Sequence, residues 1–223
     1  MFQNYTVIIL VTVLMILSGC ATFRSEIEGS SGLEAEKTLG AEPADVLFVA
    51  RHLVQTRGLD AVPKLQNHYQ ILDGFGDILL DATAELSNLR RYALYTEFSS
   101  DMSDPKRLAL KDSLMASHEL RVVMEFRREK SFAKYFLGTL GSVVTLTLVP
   151  IPYSQEYTLT VDVYGADDRL TKSYSRSAST TKWVEALLFP VYPFHTEKRK
   201  TEDLYVEMLH DVFRQMDQDG VLS

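Results

Sequence analysis

A chain of 223 residues is long enough for one domain with its own core, and 46% hydrophobic residues exclude wholesale disorder. Its 30 acidic and 23 basic side chains leave a net charge of −7, which argues against nucleic-acid binding, where affinity comes from neutralising phosphates. The single cysteine, Cys20, excludes an internal disulfide and a cysteine-cluster metal site.

Residues 1–20, MFQNYTVIILVTVLMILSGC, carry no charged side chain. The apolar run from Val7 to Leu17, broken only by Thr12, has the length of a signal-peptide hydrophobic region and is too short to span a bilayer as a helix. It ends in Leu17-Ser18-Gly19-Cys20, which resembles the lipobox of bacterial lipoproteins. The resemblance implies that residues 1–19 are a cleaved signal peptide and that Cys20 is acylated on its thiol and its new amino terminus. Each buried methylene of such chains contributes about 0.8 kcal/mol, so several chains anchor durably. Ala21 stands where an Asp would retain a Gram-negative lipoprotein in the inner membrane. By resemblance, the chain is expected at the outer membrane, facing the periplasm.

Residues 20–42 are polar, with Gly29-Ser30-Ser31-Gly32 in their midst, and predict an acylated cysteine followed by a flexible tether. A single domain is expected over 43–223. Val46, Val49, Ala50, Leu53 and Val54 fall at i, i+3, i+4, i+7 and i+8, predicting a helix entered at Pro43 and ended by Gly58. Residues 59–65 suit a short strand, confined by Pro63 to an edge or a strand end. Leu72, Phe75, Ile78, Leu79, Ala82, Leu86 and Leu89 predict a helix over 73–89. The aromatic-rich 91–98 reads as a strand. Asp104-Pro105 reads as an N-cap and first-turn proline for a helix over 105–116.

Leu120, Val122, Met124 and Phe126 alternate with Arg121, Glu125 and Arg127, the pattern of a half-buried strand. Tyr157, Leu159, Val161 and Val163 repeat it, and Gly165-Ala166-Asp167-Asp168 turns the chain into a hairpin partner over 170–181. Tyr205, Met208, Leu209, Val212, Phe213 and Met216 line a closing helix, with Thr201 as N-cap. The expected fold is α+β, two-layered: a mixed sheet of four to five strands covered by helices on one face.

Three stretches carry a likeness to a known architecture: GFGDILLDATAELSNLRRYALYTEF, HELRVVMEFRR and YTLTVDVYGADDRLTKSYSRS. They resemble the α/β domain shared by the curli-secretion channel lipoprotein, the lipoprotein activators of penicillin-binding proteins and the amino-terminal domain of the Tol-system propeller protein. The likeness lies in the pattern of elements, and fold alone does not fix function.

Catalytic motifs are missing from the sequence. His52, His68, His118, His195 and His210 form no HExxH; His118-Glu119 continues as Leu-Arg-Val. Neither GxSxG nor a phosphate-binding glycine loop occurs, and lipidation consumes Cys20. The expectation is a protein that is not an enzyme and uses neither cofactor nor metal.

Two apolar inserts stand out, at 132–155 and 182–197. Tyr135 to Gln155 contains no charged side chain for 21 residues, while glycines and prolines oppose a membrane-spanning helix. Trp183 to His195, WVEALLFPVYPFH, holds the only tryptophan and a single charge, Glu185. Arg127, Arg128, Lys130, Lys134, Lys182, Lys198, Arg199 and Lys200 border the two segments, eight of the 23 basic residues. Apolar loops ringed by cations suit an interface with headgroups or with a partner. They equally suit inserts that fold over the sheet and complete the core. Phe136, Leu137, Trp183, Phe189 and Phe194 are the candidate contact residues, with Lys134, Lys198, Arg199 and Lys200 as their polar rim.

The function expected is a non-enzymatic outer-membrane lipoprotein acting as a periplasmic binding or assembly module. Its partners are the membrane, through the lipid on Cys20, and an envelope protein or a second copy of the chain. One alternative is a subunit of an oligomeric envelope pore or secretion assembly, because the resemblance places membrane-crossing hairpins at these two positions in the curli channel. An unrecognised hydrolase is the other.

Overall fold

The computed structural model describes residues 19–34, 42–68, 72, 74–144, 151–185 and 197–222. Its strands are β1 (Gly19–Arg24), β2 (Ala44–Arg57), β3 (Lys64–Leu65), β4 (Leu89–Glu97), β5 (Leu120–Ser131), β6 (Ile151–Tyr164) and β7 (Leu170–Glu185). The helices are α1 (Phe75–Thr83), α2 (Pro105–Ser117), α3 (Phe132–Val144) and α4 (Glu197–Gln218). The strands form one mixed sheet in the order β1-β7-β6-β5-β2-β3, with β4 also paired to β2. The fold is mixed α/β as expected, with seven strands rather than four or five.

The largest departure from the sequence reading is β2, predicted as a helix. Val46, Leu47, Phe48, Val49 and Ala50 are all buried. When every consecutive position is apolar, helical spacing is satisfied by accident. Such a continuous run marks a central strand covered on both faces, as parallel strands usually are. β2 is indeed parallel to β4 on one side and to β5 on the other.

Alternation along β2 divides the core. Val46, Phe48 and Ala50 face α1 and α4, joining Val122, Met124 and Phe126 of β5 and Leu159, Val161 and Val163 of β6. Leu47 and Val49 face the opposite way, with Tyr95 and Val123, and Leu114 of α2 packs there. Helices therefore lie on both faces rather than one. The second cover is thin, because no residue of α2 is fully buried.

Other boundaries moved for identifiable reasons. The helix expected over 73–89 stops at Thr83, because Leu86 reaches the core from a turn. That turn is fixed by Ser87, whose N–H and hydroxyl both donate to Asp217 at 2.6 Å. The closing helix begins at Glu197, so Thr201 lies inside it rather than capping it. Asp104 does cap α2, accepting from the N–H groups of Lys106 and Arg107. The short strand before residue 66 is β3, on the edge at Leu53 and Val54 of β2. Past the hairpin turn Asp168 sits at φ 61°, a conformation that Asp tolerates.

The stretch read as a flexible tether is partly structured. Residues 19–24 form β1 against β7, and Glu28 exchanges backbone hydrogen bonds with Ser177. Ser30 and Ser31 then converge on Asp211 of α4. The Asp211 carboxylate accepts from the Ser30 hydroxyl at 2.8 Å, the Ser31 N–H at 3.1 Å, the Ser31 hydroxyl at 2.9 Å and Arg176 Nε at 2.5 Å. Gly29 permits the approach: its φ is 78°, and a Cβ there would meet the Ser175 carbonyl oxygen at 3.0 Å. A Gly-Ser-Ser-Gly run reads as linker only while its partner, a buried aspartate 180 residues away, is unseen.

Candidate functional site

Strand register brings Cys20 and Trp183, two of the sequence-derived site residues, to one end of the sheet. Gly19, Cys20 and Ala21 lie opposite Glu185, Val184 and Trp183. Val184 in turn lies opposite Ile151, where β6 begins, and Lys130 near the end of β5 lies opposite Gln155. The start of β1, the end of β7 and the exit of β5 into α3 therefore share one edge of the fold. That edge is where Cys20 sits.

Helix α3 turns the first apolar insert outward. Phe136 is 56% exposed and Leu137 65%, with Phe132 and Leu140 also exposed. The rings of Phe132 and Phe136 stack at 6.0 Å, forming a small aromatic patch, and Lys134 is exposed beside it. Phe132, Phe136, Leu137 and Leu140 therefore do not complete the core, whereas Gln155 at the far end of the insert is buried. Trp183 is half-buried on β7, opposite Pro152 and Ala21. Phe189 and Phe194 lie outside the described residues. Lys198 and Arg199 are exposed on the first turn of α4, where Lys198 pairs with Glu202 at 3.8 Å and Lys200 with Asp203 at 3.7 Å.

Alternation along β5 splits the basic border into two groups, which the linear sequence did not separate. Arg127 faces away from α4 and pairs with Glu125 at 2.8 Å; nearby Arg57 pairs with Glu129 at 2.6 Å and Glu156 at 3.3 Å. Arg128 and Lys130 share the parity of Val122, Met124 and Phe126, so they continue the core face toward the sheet's end. Beside them Gln155 Nε2 donates to Glu197 Oε1 at 3.0 Å, Lys182 Nζ donates to Glu197 Oε2 at 3.3 Å, and the Tyr157 hydroxyl lies 3.3 Å from Thr201 Oγ1. Burial raises Glu197, but Gln155, Lys182 and Lys130 outweigh it and hold the carboxyl below its ordinary pKa. Burial, with Arg128 and Lys182 adding to it, lowers that of Lys130. The signal was present in the sequence: a strand face that is apolar for four alternate positions, Leu120 to Phe126, and then cationic for two.

The described histidines lie in separate surroundings. His52 is 4% exposed, stacked on Phe126 at 5.0 Å and edge-on to Phe75 at 4.9 Å, and burial lowers its pKa to about 4. His210 reaches Glu85 at 2.6 Å and Asp81 at 3.2 Å, tying α4 to α1. His118 caps the end of α2 through the Leu114 carbonyl at 2.9 Å. His195 lies outside the described residues. An open cleft of about 620 Å³ runs between residues 30–33 and α4, lined by His210, Asp211 and Arg214. Within it Ser30 donates to Asp211, not to an imidazole that could activate it, and Arg214 holds Glu85 at 2.9 Å. Among the described residues no group of three His, Cys, Asp or Glu side chains could hold a metal, and no helix is long and apolar enough to cross a membrane.

No family model matches the chain, and no curated protein does. Among solved structures it is similar to the PelC dodecamer from Paraburkholderia phytofirmans, at 8% identity and a TM-score of 0.33, over 92% of this chain and 98% of that one. A variant of that PelC dodecamer gives 9% identity and a TM-score of 0.31, over 87% and 99%. Values this low define neither ancestry nor role.

Proposed function

We propose that the chain is a non-enzymatic envelope lipoprotein, anchored in the outer membrane through Cys20, whose α/β domain is a binding or assembly module for another envelope protein. The observation that carries this reading is the convergence of Cys20, Trp183 and the exposed face of α3 at one end of the sheet. An anchor at Cys20 would hold that end close to the leaflet, where an envelope partner is met. An exposed apolar patch with a cationic border is the kind of surface that monomeric domains seldom leave uncovered.

Two measurements on intact cells test the two halves of the proposal. Metabolic labelling with palmitate should mark the parent chain and fail on Cys20→Ser; equal labelling of both overturns the anchor. A photo-crosslinker at Phe136 should yield an adduct with an envelope protein. Adducts only between copies of this chain would replace the module with an assembly subunit, and adducts only with lipid would overturn protein binding.

A further inference from the structure

Three cations occupy consecutive rows of one sheet face. Arg128 lies opposite Tyr157, and Lys130 opposite Gln155, which lies opposite Thr180. Lys182, two residues beyond Thr180, projects to the same face one row further on. All three are half-buried. Among the described residues neither Arg128 nor Lys130 takes part in an ion pair, and Arg128 Nε is buried with no hydrogen-bond partner. The carboxylate that approaches, Glu197, is already engaged by Gln155 and Lys182. Paired charges across the other face of the same strands show that the sheet can neutralise cations where neutrality is needed.

We infer that Arg128, Lys130 and Lys182 form a binding site for a phosphate group. Among the described residues Arg128 and Lys130 carry charge that no carboxylate pairs, a surplus that a doubly charged anion neutralises. A guanidinium offers a planar fork for two phosphate oxygens, and an ammonium adds a point charge. Gln155, Tyr157 and Thr201 supply neutral hydrogen-bonding groups at the border, and the first turn of α4 lies over them. Burial and the charges of Arg128 and Lys182 depress the basicity of Lys130, as expected where like charges face one another at close quarters. The phosphate could belong to a lipid headgroup or be free in solution, and the site's chemistry is the same for both.

The full chain in neutral detergent micelles provides the test. Sodium phosphate, titrated against chloride at constant ionic strength, should bind saturably and raise the melting temperature. Lys130→Gln and Arg128→Gln should each weaken that binding at least tenfold, while Lys130→Arg retains it. Without phosphate, Lys130→Gln should melt no lower than the parent, since it relieves repulsion; a merely structural lysine would lower it. In a second arm, phosphatidylglycerol in the micelles should displace free phosphate if the natural source is a headgroup, whereas phosphatidylcholine and phosphatidylglycerol should be equally inert if it is not. Absence of saturable binding in both arms, or binding unaltered by Lys130→Gln and Arg128→Gln together, overturns the site. Neither outcome depends on acylation of Cys20, so the anchor and the site fail separately.

Discussion

In α4 the residues Leu204, Met208, Leu209, Val212, Phe213 and Met216 are fully buried; in α3 Phe132, Phe136, Leu137 and Leu140 are exposed. Both helices carry an apolar stripe, and the sequence alone does not say which stripe finds cover. The difference is topological. Helix α4 returns across the sheet, above the inward faces of β2, β5 and β6, and receives three strands' worth of apolar side chains. Helix α3 continues outward from the end of β5 and, among the described residues, meets the sheet mainly at the borders of β5 and β6. An apolar stripe is thus a demand for a partner, met within the chain by one helix and, among the described residues, left open by the other.

The comparison is broken most severely from the α4 side. Phe213 is fully buried and stacks on Phe48 at 5.6 Å. Phe213→Ala should cost about 3–5 kcal/mol in urea denaturation, the lost transfer energy plus the cavity. A loss below about 1 kcal/mol would mean that α4 does not close the core.

The next effect is somewhat smaller and belongs to the same buried face. His52 lies under α4 beside Phe126 and Tyr205, with its Nε2 buried and unpartnered. Burial lowers its folded pKa to about 4, whereas the unfolded imidazole titrates near 6.5. Between those values the unfolded chain binds the proton first. Stability is therefore intact above about pH 6.5 and falls as the pH drops toward about 4, by roughly 3 kcal/mol in all. Carboxylates such as Asp211, where Arg176, Ser30 and Ser31 overcome the upward push of burial, add their losses at lower pH. Denaturation midpoints followed from pH 7 to 4.5 should show the slope in the parent and lose most of it in His52→Phe. An unchanged slope in that variant would assign the effect elsewhere.

What the sequence disclosed follows the same division. Strands with one solvated face, β5 and β6, were legible because alternation is visible only when one face is polar. The doubly buried β2 erased its own period and passed for a helix. Residues 22–34 passed for a linker because their order depends on the β7 edge and on Asp211, neither close in sequence. Of the candidate surface, Phe136 and Leu137 were legible as unexplained apolar residues, and Cys20 and Trp183 came together only through register. Arg128 and Lys130 were counted as rim charges; their separation from Arg127 by strand parity is what makes them a cluster.

The smallest effect on stability is also the sharpest test of the contrast. Leu137 is the most exposed of the described large apolar side chains on α3. Replacing it with Ser removes little buried area and costs mainly the difference in helix propensity, about 0.3 kcal/mol. Leu137→Ser should therefore leave the urea midpoint within about 0.5 kcal/mol of the parent. The same substitution removes a large part of the exposed apolar surface, so crosslinking from Phe136 to an envelope partner should fall severalfold in cells. Loss of the adduct without loss of stability is the signature of a surface built for another molecule. A stability loss above about 2 kcal/mol would instead mean that the α3 stripe is packed within the chain, as that of α4 is, and the two helices would then differ only in place.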